Sequence, residues 1–112
     1  MLDGLRQLES LYLRNNQITC INQNAFKDLK NLRIIDFSGN KLSNFNEKAK
    51  VDLVSPFQFL RLKKLNLAGN NISFIYKDWK TFWLSNINLS HNHITQLQVN
   101  ISYNIFLCIL FF

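Results

Sequence analysis

Glycine, proline and cysteine are all scarce in this 112-residue chain, at three, one and two residues respectively. Each scarcity excludes something. The two cysteines, Cys20 and Cys108, lie 88 positions apart, and neither a zinc site nor a disulfide framework follows from such a pair. No apolar run approaches the roughly 20 residues needed to cross a bilayer. The closing "IFLCILFF" has eight. The opening "MLDGLRQLES" lacks the apolar centre of a signal peptide. With so little glycine and proline, turns must be made by something else. Asparagine, present 16 times, is the candidate.

Acidic residues are also in the minority, seven against 13 Lys plus Arg, for a net charge of +6. The basic residues (Arg6, Arg14, Lys27, Lys41, Lys77) are scattered, with one pair at Lys63 and Lys64. A nucleic-acid face would cluster them with interleaved aromatics, so no nucleic-acid partner is expected. Apolar residues make up 47% and charged residues 18%, which is a folding composition sized for one domain.

Aligning the chain on its asparagines exposes an internal repeat. "LESLYLRNNQI" spans 8–18, "LRIIDFSGNKL" 32–42, "LKKLNLAGNNI" 62–72 and "LSNINLSHNHI" 84–94. All four read L-x-x-L-x-L-x-x-N-x-L, with Ile or Phe allowed at the leucines. The pairs Leu11/Leu13, Ile35/Phe37, Leu65/Leu67 and Ile87/Leu89 are two apart, the period of one strand face. A few such residues cannot enclose a core alone, whereas stacked copies joined in a parallel sheet can. Asn16, Asn40, Asn70 and Asn92 then form a ladder. Each is expected to bond main-chain groups that its turn leaves unpaired, in its own coil and the next.

The pattern resembles that of leucine-rich repeat proteins over residues 2 to about 97. The resemblance implies an α/β-type leucine-rich repeat solenoid. Short parallel strands would line its concave face, and loops or short helical turns its convex face, in about four uncapped coils. Residues 1–97 are read as the repeats and 98–112 as an irregular apolar tail. The spacing from one ladder asparagine to the next is 24, then 30, then 22 residues. The 30-residue repeat places its extra residues in "NFNEKAKVDLVSPFQF" (44–59), read as a tolerated loop on the convex side or rim. Phe26 is expected to fill the back of the first full coil, and Trp79 and Phe82 that of the third. No charged residue follows Lys80. The tail admits three readings: a poor cap, the start of a membrane segment, or translated non-coding sequence, the last being favoured.

His91 and His93 flank Asn92 without a nearby Cys, Asp or Glu, short of the convergent ligands a metal needs. Phosphate-loop and nucleophile-elbow motifs are missing. The chain is therefore read as a non-enzyme without cofactor or metal. Three N-x-S sequons occur, at Asn71, Asn88 and Asn100, where roughly 1.6 would arise by chance. Asn71 and Asn88 are the candidate glycosylation sites, and Asn100 is set aside with the tail.

Strand geometry nominates a concave binding face of Tyr12, Arg14, Arg33, Asp36, Lys63, Lys64, Asn66, Asn86 and Asn88, joined by Glu9 and Ser85. The 24-residue period with Phe26 and Leu29 resembles the extracellular subclass of the family. Uneven repeats, the insertion and "NLSHNHI" are similar to the ectodomains of Toll-type receptors. That likeness implies a protein ligand or co-receptor, dimerisation, and innate-immune or developmental signalling. It places the module outside the cell or at its surface, with the membrane anchor in a longer parent protein. A matrix or adhesion module, or a truncated nonfunctional gene product, is the alternative.

Overall fold

The computed structural model describes residues 5–46, 51–53, 55–57, 60–75 and 84–97. Eight short strands run in chain order: β1 (Ser10–Tyr12), β2 (Ile34–Asp36), β3 (Phe45–Asn46), β4 (Val51–Asp52), β5 (Lys64–Asn66), β6 (Phe74–Ile75), β7 (Asn86–Asn88) and β8 (Gln96–Leu97). The three-residue strands β1, β2, β5 and β7 come one from each repeat and form a single parallel sheet in that order. Their register is strict. Leu11, Ile35, Leu65 and Ile87 lie opposite one another, flanked by Ser10–Ile34–Lys64–Asn86 and Tyr12–Asp36–Asn66–Asn88. Two smaller sheets lie outside it: β3 and β4 pair antiparallel, and β6 and β8 pair parallel.

The apolar repeat positions make the core. Leu32, Ile35, Phe37, Leu42, Leu65, Leu67, Ile72, Ile87 and Leu89 are buried almost completely. Each such side chain contributes about 1.5–3 kcal/mol relative to an exposed one. The first repeat is less covered. Leu8, Leu11, Leu13 and Ile18 are only half-buried against the same core, because β1 is the sheet's edge.

On the convex side, strand gives way to turn. Between Asn22 and Leu32, the main-chain bonds Ala25 to Asn22, Leu29 to Phe26 and Leu32 to Leu29 each span three residues. Bonds of that span belong to turns and 3₁₀ geometry, whereas an α-helix spans four. The single helical element among the described residues is a 3₁₀ turn at Ser55–Phe57. Among the described residues the convex side is thus made of loops, turns and this one short helical turn.

Phe26 is buried at the back of its coil, and there the 44–59 segment departs from a merely tolerated loop. Phe57 from that segment stacks on Phe26 (centroids 5.9 Å, 15°) and meets Phe37 edge-on at 6.3 Å. Leu53 and Phe57 are both core residues. The Leu60 N–H donates to Phe57 O as the Leu29 N–H does to Phe26 O, so Phe57 takes the back-turn place of its repeat. Trp79, Phe82, Asn100 and the 98–112 tail lie outside the described residues.

Candidate concave binding site

Two features of the repeat hold the sheet's outer face in place. The first is the residue just before each ladder asparagine. Asn15, Gly39, Gly69 and His91 all adopt left-handed backbone, with φ of 54, 70, 66 and 56°. Glycine reaches this region freely, and Asn and His reach it more readily than most residues. The turn therefore does use glycine: two of the chain's three occupy this column. The signal was in the sequence, as Asn, Gly, Gly and His in one column.

The second is the ladder. The amide nitrogen of Asn40 donates to Phe37 O (2.8 Å) and Ser38 O (3.3 Å) in its own turn, and to Leu13 O (2.9 Å) in the coil before. Its oxygen accepts from Ile18 N at 3.1 Å. Asn70 repeats this with Leu67 O, Ala68 O, Phe37 O and Leu42 N, and Asn92 with Leu89 O, Ser90 O, Leu67 O and Ile72 N. Among the described residues, every inter-coil bond of these three runs to the preceding coil. The expected link to the next coil is thereby reversed, because each amide faces the sixth-position carbonyl and eleventh-position N–H of the repeat before it. Asn16 stays exposed and, among the described residues, bonds only its own turn, at Leu13 O and Arg14 O.

The outer face of the sheet frames a shallow concavity of about 270 Å³, lined by Tyr12, Ile34, Ile35, Asp36, Lys64, Leu65, Asn66, Asn86 and Asn88. Tyr12 is 60% exposed, whereas the other aromatics of described burial, Phe26, Phe37 and Phe57, are buried. Ile34, absent from the residues nominated from sequence, stands in register with Lys64 and supplies an apolar patch beside the tyrosine. Its position, third in the repeat, is the same as that of Lys64 and Asn86, which was the overlooked signal.

Asp36, Asn66 and Asn88 do structural work in the same place. Their side-chain oxygens accept from Ser38 N (2.9 Å), Ala68 N (3.0 Å) and Ser90 N (3.0 Å). Each closes an Asx turn two residues on. The Ser90 hydroxyl also donates to Asn88, at 2.7 Å. Asp36 is buried, and its other oxygen lies 3.5 Å from the Arg14 Nε, so its charge is already engaged.

Arg33 and Lys63 do not line the concavity. Both sit second in their repeat, before the strand begins, and Arg33 donates from one guanidinium nitrogen to Lys30 O and Leu32 O, each at 3.0 Å. Of the nominated basic residues, Lys64 alone presents a cation to the concavity without an ion-pair partner among the described residues.

Among the described residues no group of three His, Cys, Asp or Glu could hold a metal, and no helix is long and apolar enough to cross a membrane. His91 and His93 are exposed turn residues. Nothing in the concavity pairs a nucleophile with a base. What the arrangement offers is recognition: one aromatic ring, one apolar side chain, one cation and several amides on a rigid floor.

Comparison with known proteins agrees with this geometry. The family model described as leucine rich repeat matches residues 6–72. Human lumican is 35% identical over 91 residues, covering 80% of this chain, and chicken lumican is 36% identical over 93 residues, covering 81%. P-granule-associated novel protein 1 of Caenorhabditis elegans is 41% identical over 94 residues, covering 82% of this chain and 16% of that protein. The chain spans 25% of the length of the two lumicans. A family match over more than half the chain, a repeat in register and one parallel strand per repeat lead to one conclusion: this chain belongs to the leucine-rich repeat family.

Proposed function

We propose that the concave face is a protein-binding surface, and that the module works outside the cell or at its surface. The observation that carries the first part is the exposed Tyr12 beside Ile34 and Lys64 on a floor fixed by backbone bonds. Exposed aromatics on rigid supports make effective anchors, since ordering them at an interface costs little entropy. The partner that fits is a protein segment with an apolar side chain for Tyr12 and Ile34 and a carboxylate for Lys64. The extracellular placement rests on the 24-residue repeat type.

A Toll-type receptor ectodomain is one parent for such a module, and a matrix or adhesion protein is the other. The receptor reading rests on the likeness of segments such as "NLSHNHI". The relatives found, lumicans among them, belong to other branches of the family, which weighs toward the second. A cytoplasmic signalling domain encoded in the same full-length transcript would establish the receptor. Dimerisation belongs to the receptor reading and is tested by sedimentation.

The binding surface is tested with a purified partner isolated on the immobilised chain. A Tyr12→Ala/Lys64→Glu variant should bind it at least tenfold more weakly, while Asp28→Asn, an exposed change in the convex turn, should leave binding unchanged. The reverse pattern would move recognition to the convex side.

A further inference from the structure

The two sequons that fall among the described residues are equivalent as motifs, and the fold makes them unequal. Asn71 is tenth in its repeat, directly after the ladder asparagine. The same position holds Gln17, Lys41 and His93, and all four are exposed, forming one solvent-facing column along the side of the solenoid. The main chain at Asn71 is anchored, its N–H donating to Leu42 O at 2.8 Å. Its side-chain amide has no hydrogen-bond partner among the described residues. Asn88 differs in each respect. It is half-buried in β7, it lines the concavity, and its oxygen holds both the N–H and the hydroxyl of Ser90, the serine of its own sequon.

We propose that Asn71 is the N-glycan acceptor of this fold and that Asn88 is not. The inference rests on the extracellular placement proposed above. In the transfer, the Asn71 amide nitrogen forms a bond to the anomeric carbon of an oligosaccharide carried on a lipid diphosphate. The nitrogen gives up one proton, and the lipid diphosphate leaves with the bonding electrons. A sugar on Asn71 projects from the lateral column into solvent and disturbs neither the ladder nor the core. A sugar on Asn88 would stand on the floor of the concavity, next to Asn66 at the β7 end of the row that runs to Tyr12. Glycosylation at Asn71 therefore leaves the concave face open, and it covers the flank where Lys41 and His93 lie.

The test is expression of the full chain behind a supplied cleavable signal sequence in eukaryotic cells, with Asn100→Gln throughout to remove the third sequon. Secreted protein is treated with peptide N-glycosidase in heavy-oxygen water, and site occupancy is read by peptide mass spectrometry. Label at Asn71 with none at Asn88, a gel shift abolished by Asn71→Gln, and a shift retained by Asn88→Gln are the expected results. Secreted protein with Asn71 unlabelled, or with label at Asn88, overturns the proposal. The supplied signal separates this outcome from the natural route of the chain, which is read independently by locating the untagged protein. It is equally separate from partner binding, read with the Tyr12 and Lys64 variants.

Discussion

The side-chain amide of Asn70 reaches back 33 residues to the main-chain oxygen of Phe37, at 3.1 Å, and with its own oxygen receives the N–H of Leu42 at 2.9 Å. It also donates to Leu67 O and Ala68 O in its own turn, so one 3%-exposed side chain satisfies main-chain groups of two successive repeats. Buried peptide groups left unpaired cost about 1–3 kcal/mol each, so these contacts bind one repeat to the next.

Asn70→Ala should therefore destabilise the chain by about 2–4 kcal/mol, since it strands more than one buried group. Asn16→Ala, at an exposed residue bonded only within its own turn, should cost under about 1 kcal/mol. Urea unfolding of both variants checks the ratio. Equal losses would mean that the bonds to the preceding coil contribute nothing.

Gly39→Ala and Gly69→Ala should both destabilise, by about 1–2 kcal/mol, because each places a Cβ on left-handed backbone. Gly39 should suffer more. Its added methyl overlaps the Asn15 side-chain oxygen, while at Gly69 the nearest atom is Gly39 N at an ordinary 3.4 Å. Combining Gly39→Ala with Asn15→Gly should recover the excess and leave the backbone strain, as measured by a double-mutant cycle in thermal unfolding.

Phe57→Ala should cost about 3–5 kcal/mol, the range for deleting a buried ring. The ring is 6% exposed and packs on both Phe26 and Phe37. A loss under about 1 kcal/mol by chemical denaturation would return the 44–59 segment to the status of a dispensable loop.

Arg14→Ala should change stability by no more than about 1 kcal/mol, because the pair with Asp36 joins a 62%-exposed side chain to an 11%-exposed one and is screened by solvent. Asp36→Ala should cost more than Arg14→Ala, since it also removes the acceptor for Ser38 N. Thermal melts of the two variants at the same ionic strength test the order.

The repeat, its period and the inward leucines were legible because each obeys a local rule. Two-residue spacing defines a strand face, and four aligned copies require a shared core. The concave column was legible for the same reason at Tyr12, Asp36, Asn66 and Asn88. Ile34 was passed over because it is apolar, and apolar residues at strand ends read as core. Arg33 and Lys63 were drawn in because the pattern does not say that the strand starts one residue later.

By itself, then, the sequence determined the family, the parallel stacking and which residues face inward, all consequences of side-chain periodicity along one repeat. Tertiary structure alone decided which neighbour each ladder asparagine serves, that Phe57 of the 44–59 segment enters the core, and that Asp36 is engaged while Lys64 has no ion-pair partner among the described residues. Those facts depend on how neighbouring coils stack and on contacts between residues tens of positions apart. Spacing within a single repeat carries no record of either.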